Sequence, residues 1–278
     1  QHDDLKARGD GIWQAVGTRD GGVPSIHRML LHPDRERSYA ELFVFALDLS
    51  QLELHAQAGS VEPRRQDDSG ETPAGSRPGV VPEEARGRLV AAFNGGFKAE
   101  HGHYGMMTNG TEWLGPKKGA CTFARMASGE LRVATWSALA NEKDMSWWRQ
   151  TPACMVEDGA LHAGLRTEGS KGWGATLEGD TVIRRSAVGV TADGKFLLVG
   201  ISNSTTATAL ARGMMHAGAR QVAQLDVNFS YPRFLLYRDA AATTHAMRAE
   251  GAVKGLLYSE DEYLGRASGR DFFYVTHK

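Results

Sequence analysis

The sequence predicts an α+β fold: a large twisted sheet, antiparallel or mixed, with a few packed helices. Three observations predict it. Glycine is frequent, at 33 of 278 residues, as a chain with many tight turns requires. Short apolar runs of strand length are joined by Asn-Gly, Asp-Gly and Ser-Gly pairs, which are hairpin signals. Strands outnumber helices, and this balance argues against a doubly wound parallel sheet.

In chain order, residues 1 to 35 are polar and Gly-rich, with one strand expected over Ser25 to Leu31. Tyr39 to Leu49 is rich in strand formers, and Leu52 to Ala58 alternates apolar with polar residues, so two adjacent strands follow. Ser60 to Gly79 holds Pro63, Pro73, Pro78 and many charges, with almost no large apolar residue. That composition buries no core and reads as a long exposed loop, with a lid over a site as the alternative. Val81 to Arg86 suits one helical turn after Pro82. Leu89 to Phe93 is a buried strand. Met106 to Trp113 forms a hairpin about Asn109-Gly110, and Cys121 to Ala124 pairs with Leu131 to Thr135. Ser137 is expected to cap a helix running to Arg149. Ala153 to His162 turns at Asp158-Gly159, and Ser186 to Ile201 at Asp193-Gly194. Ser204 or Thr205 caps a helix to Ala217, with Ala207, Leu210, Met214 and Ala217 on one face and Gly218 at its stop. Gln221 to Leu225, Phe234 to Tyr237, Gly255 to Tyr258 and Phe272 to Val275 are further strands.

The length suits one large domain or two small ones. Residues 1–88 are expected to pack as N-terminal strands and a long loop on a main domain of 89–278, in one compact unit. A net charge of −1 excludes a global field for nucleic acid or an acidic membrane surface. No apolar run approaches the length of a membrane span. A chain that begins at Gln1 reads as a processed form. The two cysteines, Cys121 and Cys154, leave two readings open: one disulfide, or two buried thiols.

The stretch from Ala91 to Gly105 organises the candidate site. A buried strand ends at Asn94-Gly95-Gly96-Phe97, where two glycines would allow backbone angles closed to other residues. Lys98, Glu100, His101, His103 and Tyr104 follow at once. Polar side chains just past a core strand are where sites are built. Two later strand ends carry Arg184-Arg185-Ser186 and Leu225-Asp226-Val227-Asn228-Phe229-Ser230. If the three ends converge, one cleft holds an amide, a guanidinium and a carboxylate, a set suited to an anionic, hydroxyl-rich substrate. Arg184 and Arg185 are neighbours on a strand and face opposite sides, so one at most enters the cleft. His101 and His103 on an extended segment, with Glu100 or Asp226, offer an alternative divalent-metal reading; stacking or hydrogen bonding of His103 and Tyr104 on a sugar is favoured over it, and no cofactor is called for. His162, His216 and His245 read as structural or exposed. Trp147-Trp148 would close the second helix and pack in the core. Trp173, in the Gly169 to Gly179 loop, could border the site.

The ordered set Asn94-Gly95-Gly96-Phe97, Arg185-Ser186-Ala187-Val188-Gly189 and Asp226 resembles the phosphodiester glycosidase family, over about half the chain. The family's Gly-rich run after the Asp is replaced by Val227-Asn228-Phe229, and only Ser230 keeps the pattern. The resemblance implies hydrolysis of a sugar-1-phosphodiester at the anomeric carbon in an envelope or extracellular glycan. Arg185 would take the phosphate with Lys98 or Arg184, Asp226 would activate water or stabilise the developing cation, and Asn94 would fix a hydroxyl or the water. Gly95, Gly96, Phe97, Lys98, His101, His103, Tyr104, Asn228 and Ser230 would complete the substrate site. The implied location is secreted, periplasmic or cell envelope, and the implied partner is a carbohydrate or glycosyl phosphate. A non-catalytic carbohydrate-binding protein on the same fold, and a metal-dependent hydrolase using His101 and His103, are the alternatives.

Overall fold

The computed structural model describes residues 9–16, 23–64, 77–167, 171–176, 178–239 and 247–278. The chain opens with β1 (Gln14–Ala15), β2 (Ile26–Leu31), β3 (Leu42–Asp48) and β4 (Leu52–Gln57). The one-turn helix α1 (Glu83–Arg86) precedes β5 (Leu89–Asn94). Next come β6 (Met106–Thr108), β7 (Thr111–Leu114), β8 (Cys121–Met126), β9 (Leu131–Thr135), the short helix α2 (Trp136–Leu139) and β10 (Met145–Thr151). β11 (Val156–Glu157), β12 (Ala160–Leu161), β13 (Arg185–Thr191) and β14 (Phe196–Ser202) lead to the helix α3 (Ala207–His216). β15 (Ala219–Val227), β16 (Phe234–Asp239), β17 (Met247–Gly251) and β18 (Phe272–His277) end the chain.

The strands form three sheets, in the orders β1-β2-β3-β14-β13-β15-β11-β12, β7-β6-β10-β8-β9 and β17-β16-β5-β18-β4. Every neighbouring pair among these strands is antiparallel. Among the described residues strands hold 41% and helices 11%, so the fold is mostly β, with the α component confined to a few short helices. The N-terminal strands do not stand apart: β3 pairs with β14, and β4 pairs with β18.

Period-2 alternation places two cores. In β5, Ala91 and Phe93 point to a central core shared by the sheets while Ala92 points to an outer one, which Leu89 joins because the register against β18 shifts between Ala91 and Leu89. β18 does the same with Phe273 and Val275 against Phe272 and Tyr274. Both faces are covered, so these strands read as near-continuous apolar runs. The centre is aromatic, with Phe45 stacked on Phe234 at 4.0 Å and Phe93 on Phe273 at 5.2 Å between ring centroids. α3 lies on the other face of the eight-stranded sheet, burying Leu210 and Met214 with Leu42, Val44 and Leu198. Its cap is Thr206, one residue past Thr205 and two past Ser204, the expected caps; the Thr206 hydroxyl accepts from Ala209 N at 3.1 Å.

Two expected elements are corrected. The helix from Ser137 to Arg149 stops at Leu139, and Met145–Thr151 is strand β10. Trp147 and Trp148 are both buried, but on opposite faces, in different clusters; neighbours that must be buried on opposite sides need a strand. Gly255 to Tyr258 is not a strand: Leu256 is buried while Leu257 and Tyr258 are exposed. Between the two open readings of the cysteines, the structure has the disulfide Cys121–Cys154, with both residues buried. It ties the start of β8 to the segment after β10.

Candidate active site

β5 ends beside Asp271, the residue before β18. Gly95 N donates to the Asp271 carbonyl at 3.0 Å, and Gly96 N donates to Asp271 Oδ2 at 2.9 Å. The Asp271 carboxylate is also gripped bidentately by Arg149, Nε to Oδ2 at 2.9 Å and Nη2 to Oδ1 at 3.1 Å. Arg149 spends its other donors on the carbonyls of Phe97 at 2.6 Å, Tyr104 at 2.7 Å and Gln150 at 3.0 Å. Both charges are fully buried. The pair therefore sits behind the Asn94 to Tyr104 turn and fixes its path.

This packing explains the two glycines differently from the expectation. Neither Gly95 nor Gly96 has a positive φ. A Cβ on Gly95 would fall inside the Asp271 carboxylate, and one on Gly96 would lie 2.7 Å from Arg149 Cζ. The requirement is close approach of an ion pair, not backbone freedom.

The three sequence segments do converge, through an interior chain of hydrogen bonds. Asn94 Nδ2 donates to Ser186 Oγ at 2.8 Å, and Ser186 Oγ donates to the Asp226 carbonyl at 2.8 Å. Asp226 N donates to the Gly95 carbonyl at 3.1 Å. Asn94 Oδ1 accepts from Arg233 N at 3.0 Å. Asn94 is thus buried and engaged at both ends of its amide. Arg185 faces away from Ser186. It is fully buried and donates to the carbonyls of Trp173, Gly174, Thr181 and Thr205 and to Gln224 Oε1. Burial pushes its guanidinium down to about 10, which still leaves it charged at neutral pH. Arg184 takes the other side of the chain, stacked at 4.7 Å on Phe229.

Asp226 is 2% exposed. Its Oδ2 lies 2.6 Å from Arg270 Nη2. Burial raises its carboxyl from 3.8 to about 6, the Arg270 charge offsetting only part of that cost. Arg270 is laid over the Tyr231 ring at 4.0 Å and donates to the Gly96 carbonyl at 3.0 Å. It stands between Asp226 and an open cleft of about 580 Å³. Lys98, Arg233, Arg266 and Arg270 give that cleft its charge; Asn228, Ser230, Leu257 and Tyr258 line the rest. Its wall carboxylate, Glu262, is held by Arg233 at 2.7 Å. Asn228 has φ 148°, and its Oδ1 accepts from Ser230 N at 2.9 Å and Tyr231 N at 2.7 Å. That side chain closes the turn between Asn228 and Tyr231.

Lys98 and Arg270 also border a neighbouring depression of about 500 Å³ with Glu62, Arg64, Glu100 and His103. Lys98 Nζ is 3.2 Å from Glu100 Oε1, and His101 Nε2 is 3.6 Å from the same oxygen. His101 and His103 are exposed. Phe97 is buried edge-on to Tyr104, whose hydroxyl burial pushes up. Trp173 is buried, its indole N–H on the Ala153 carbonyl at 2.7 Å. Among the described residues no three His, Cys, Asp or Glu side chains gather at one point. Residues 65–76 of the Ser60 to Gly79 loop, 168–170 and 177 near the Gly169 to Gly179 loop, and His245 lie outside the described residues.

A profile described as phosphodiester glycosidase matches residues 87–226, the stretch that runs from the approach to β5 to Asp226 itself. The chain belongs to the phosphodiester glycosidase family. Among solved structures it is similar to the zebrafish N-acetylglucosamine-1-phosphodiester alpha-N-acetylglucosaminidase catalytic domain auto-inhibited by its pro-peptide. That match has 13% identity and a TM-score of 0.52, covering 96% of this chain and 87% of that one. A hypothetical protein from Synechocystis matches at 11% identity and a TM-score of 0.52, over 94% of this chain and 65% of that one. At such identities the likeness shows the fold. No curated protein matches the sequence. The family is one of hydrolases, and its glycosidase chemistry implies a carbohydrate-type substrate. No helix among the described residues is long and apolar enough to cross a membrane.

Sequence reasoning missed Arg270, Arg233, Glu262, Tyr258 and the Arg149–Asp271 pair. One signal was available. Gly269-Arg270-Asp271 precedes the apolar run Phe272 to Val275, the same strand-end position that singled out Lys98 and its neighbours.

Proposed function

We propose that this phosphodiester glycosidase hydrolyses a sugar-1-phosphodiester in an exported glycan, with the phosphate bound in the cleft by Arg270, Lys98 and Arg266. The observation that carries the reading is the position of Arg270. One guanidinium lies between the open cleft and the buried carboxylate of Asp226, 2.6 Å from Oδ2. An arriving phosphate diester competes with Asp226 for that guanidinium. As Arg270 turns its charge to the phosphate, Asp226 loses its nearest cation and becomes the stronger base. Water attacks the anomeric carbon, the bond from that carbon to the phosphate oxygen breaks, and the phosphate ester leaves with the electron pair. The water proton passes to Asp226. A phosphate ester needs little protonation to leave, so binding its charge is the main electrostatic task.

In this reading Asn94 and Arg185 are positioning residues. Asn94 holds the Asp226 strand through Ser186, and Arg185 anchors β13 to the Trp173 segment. Asn228 and Ser230 line the cleft and His103 the neighbouring depression, while Gly95, Gly96, Phe97, His101 and Tyr104 line neither. The disulfide fits an oxidising compartment, in keeping with export.

The test is release of free reducing sugar from a sugar-1-phosphate alkyl diester by the full chain. Asp226→Asn should lower kcat/KM by about 10²–10⁴-fold, the usual worth of a general base. Arg270→Gln should raise KM as well as lower kcat. Full turnover by Asp226→Asn would end the assignment. The cover that Arg270 places over Asp226 also favours a second reading, saccharide binding without turnover; binding of the diester with no sugar released by the unaltered chain would select it.

A further inference from the structure

Behind Tyr258 lies a second cavity, of about 740 Å³, between the β2, β3 and β14 side of the large sheet and the β16–β17 hairpin. Tyr258 lines both this cavity and the phosphate cleft. Its wall carries Arg28, Arg184 and Lys254 as cations and Glu41 as an acid, while Arg238 and Glu250 pair with each other at 3.2 Å. The wall therefore holds an excess of positive charge, although the whole chain has a net charge of −1.

Arg184 is the telling residue. It is 8% exposed. Its Nη1 donates to the carbonyls of Phe229 at 2.9 Å and Gly255 at 3.0 Å. Its Nε is buried with no hydrogen-bond partner. No carboxylate among the described residues lies within 4.0 Å of it, whereas the guanidiniums of Arg149, Arg233 and Arg270 each have one. Arg28 likewise has no carboxylate partner among the described residues; its guanidinium donates to the Ala252 carbonyl at 3.5 Å and lies 5.9 Å from the centre of the Phe43 ring. A buried guanidinium without a counter-ion is costly. Beside a cavity, it is a fork ready for an anion.

Resting on the function proposed above, we propose that this cavity is a second phosphate subsite and that the substrate is a chain of phosphodiester-linked sugars. The scissile phosphate sits on Arg270 and Lys98. The next phosphate along the chain sits on Arg184 and Arg28, and the sugar between them crosses the exposed Tyr258 ring. Aromatic faces suit the apolar faces of sugars.

The experiment compares an oligomer of phosphodiester-linked sugars with a single-sugar alkyl diester, using the full chain and the double variant Arg28→Gln/Lys254→Gln. Neither residue touches the cleft. The unaltered chain should prefer the oligomer in kcat/KM by about tenfold or more, the worth of one charge-assisted contact. The double variant should lose most of that preference and keep its rate on the single diester within about twofold. No preference in the unaltered chain, or an equal change on both substrates, would overturn the proposal. If neither substrate is hydrolysed, calorimetric binding of the oligomer separates the two ideas. Weakening by about fivefold or more in the double variant supports the subsite without the reaction, and unchanged binding removes the subsite.

Discussion

The carboxyl of Asp226 makes a sharp prediction about stability and pH. Burial raises it from 3.8 to about 6 despite Arg270 beside it. In the unfolded chain the same group ionises near 3.8. Between those values the folded state holds the proton more firmly, so folding stability falls as pH rises through this window. The full cost is about 3 kcal/mol, at about 1.36 kcal/mol for each tenfold change in acidity. From pH 4 to pH 7 roughly 2.4 kcal/mol of it is expressed, because the unfolded group is already partly ionised at pH 4. Asp226→Asn cannot ionise and lacks this term, while every other carboxylate contributes alike to both proteins. Urea unfolding followed by tryptophan fluorescence at pH 4, 5, 6 and 7 gives the difference in stability between the two proteins. The Asn variant should gain on the unaltered chain by about 2 kcal/mol over that range. A difference that stays constant, or that moves the other way, would refute the reasoning. It would mean that Arg270 outweighs burial and holds the carboxyl at or below its ordinary value.

Two further predictions concern what holds the site in place. Asp271→Ala leaves the fully buried Arg149 guanidinium without its carboxylate and should cost about 3–5 kcal/mol in urea unfolding; a loss under about 1 kcal/mol would show that the pair does not fix the turn. The double variant Cys121→Ser/Cys154→Ser opens a loop with a sequence separation of 33, worth roughly 3.5–4 kcal/mol by loop-closure entropy, and calorimetric melting should register it.

The elements that rest on local chemistry were legible in the sequence. Asn109-Gly110, with φ of 49° and 74°, turns β6 into β7 as the dipeptide requires. α3 follows from its apolar spacing, a threonine cap and Gly218 at φ 104°. β10 was not legible, because Trp147, Trp148 and Arg149 are all buried and so carry no polar face to set a period. The site was legible to the level of segments. Asn94, Ser186 and Asp226 do meet, but which side chain faces solvent depends on partners far away in the chain. Gly96 and Asp271 are 175 residues apart, and Arg149 and Asp271 are 122 apart. No local pattern encodes such contacts.

That distance bears on what the Asn-Gly-Gly-Phe segment is for. Gly96 lies against the Arg149 guanidinium, its amide bonds the Asp271 carboxylate, and its carbonyl accepts from Arg270. Arg270 in turn faces Asp226. The turn therefore couples a buried ion pair, which sets its path, to a second pair that opens on the cleft. A guanidinium shared with a substrate must be aimed before the substrate arrives, or ordering it subtracts from binding. Here the aim comes from the Tyr231 ring below and the Gly96 carbonyl beside it, and that carbonyl is only as fixed as the pair behind it. The two glycines are needed because any Cβ would separate the turn from Arg149 and Asp271, and so release Arg270, the group proposed to meet the phosphate.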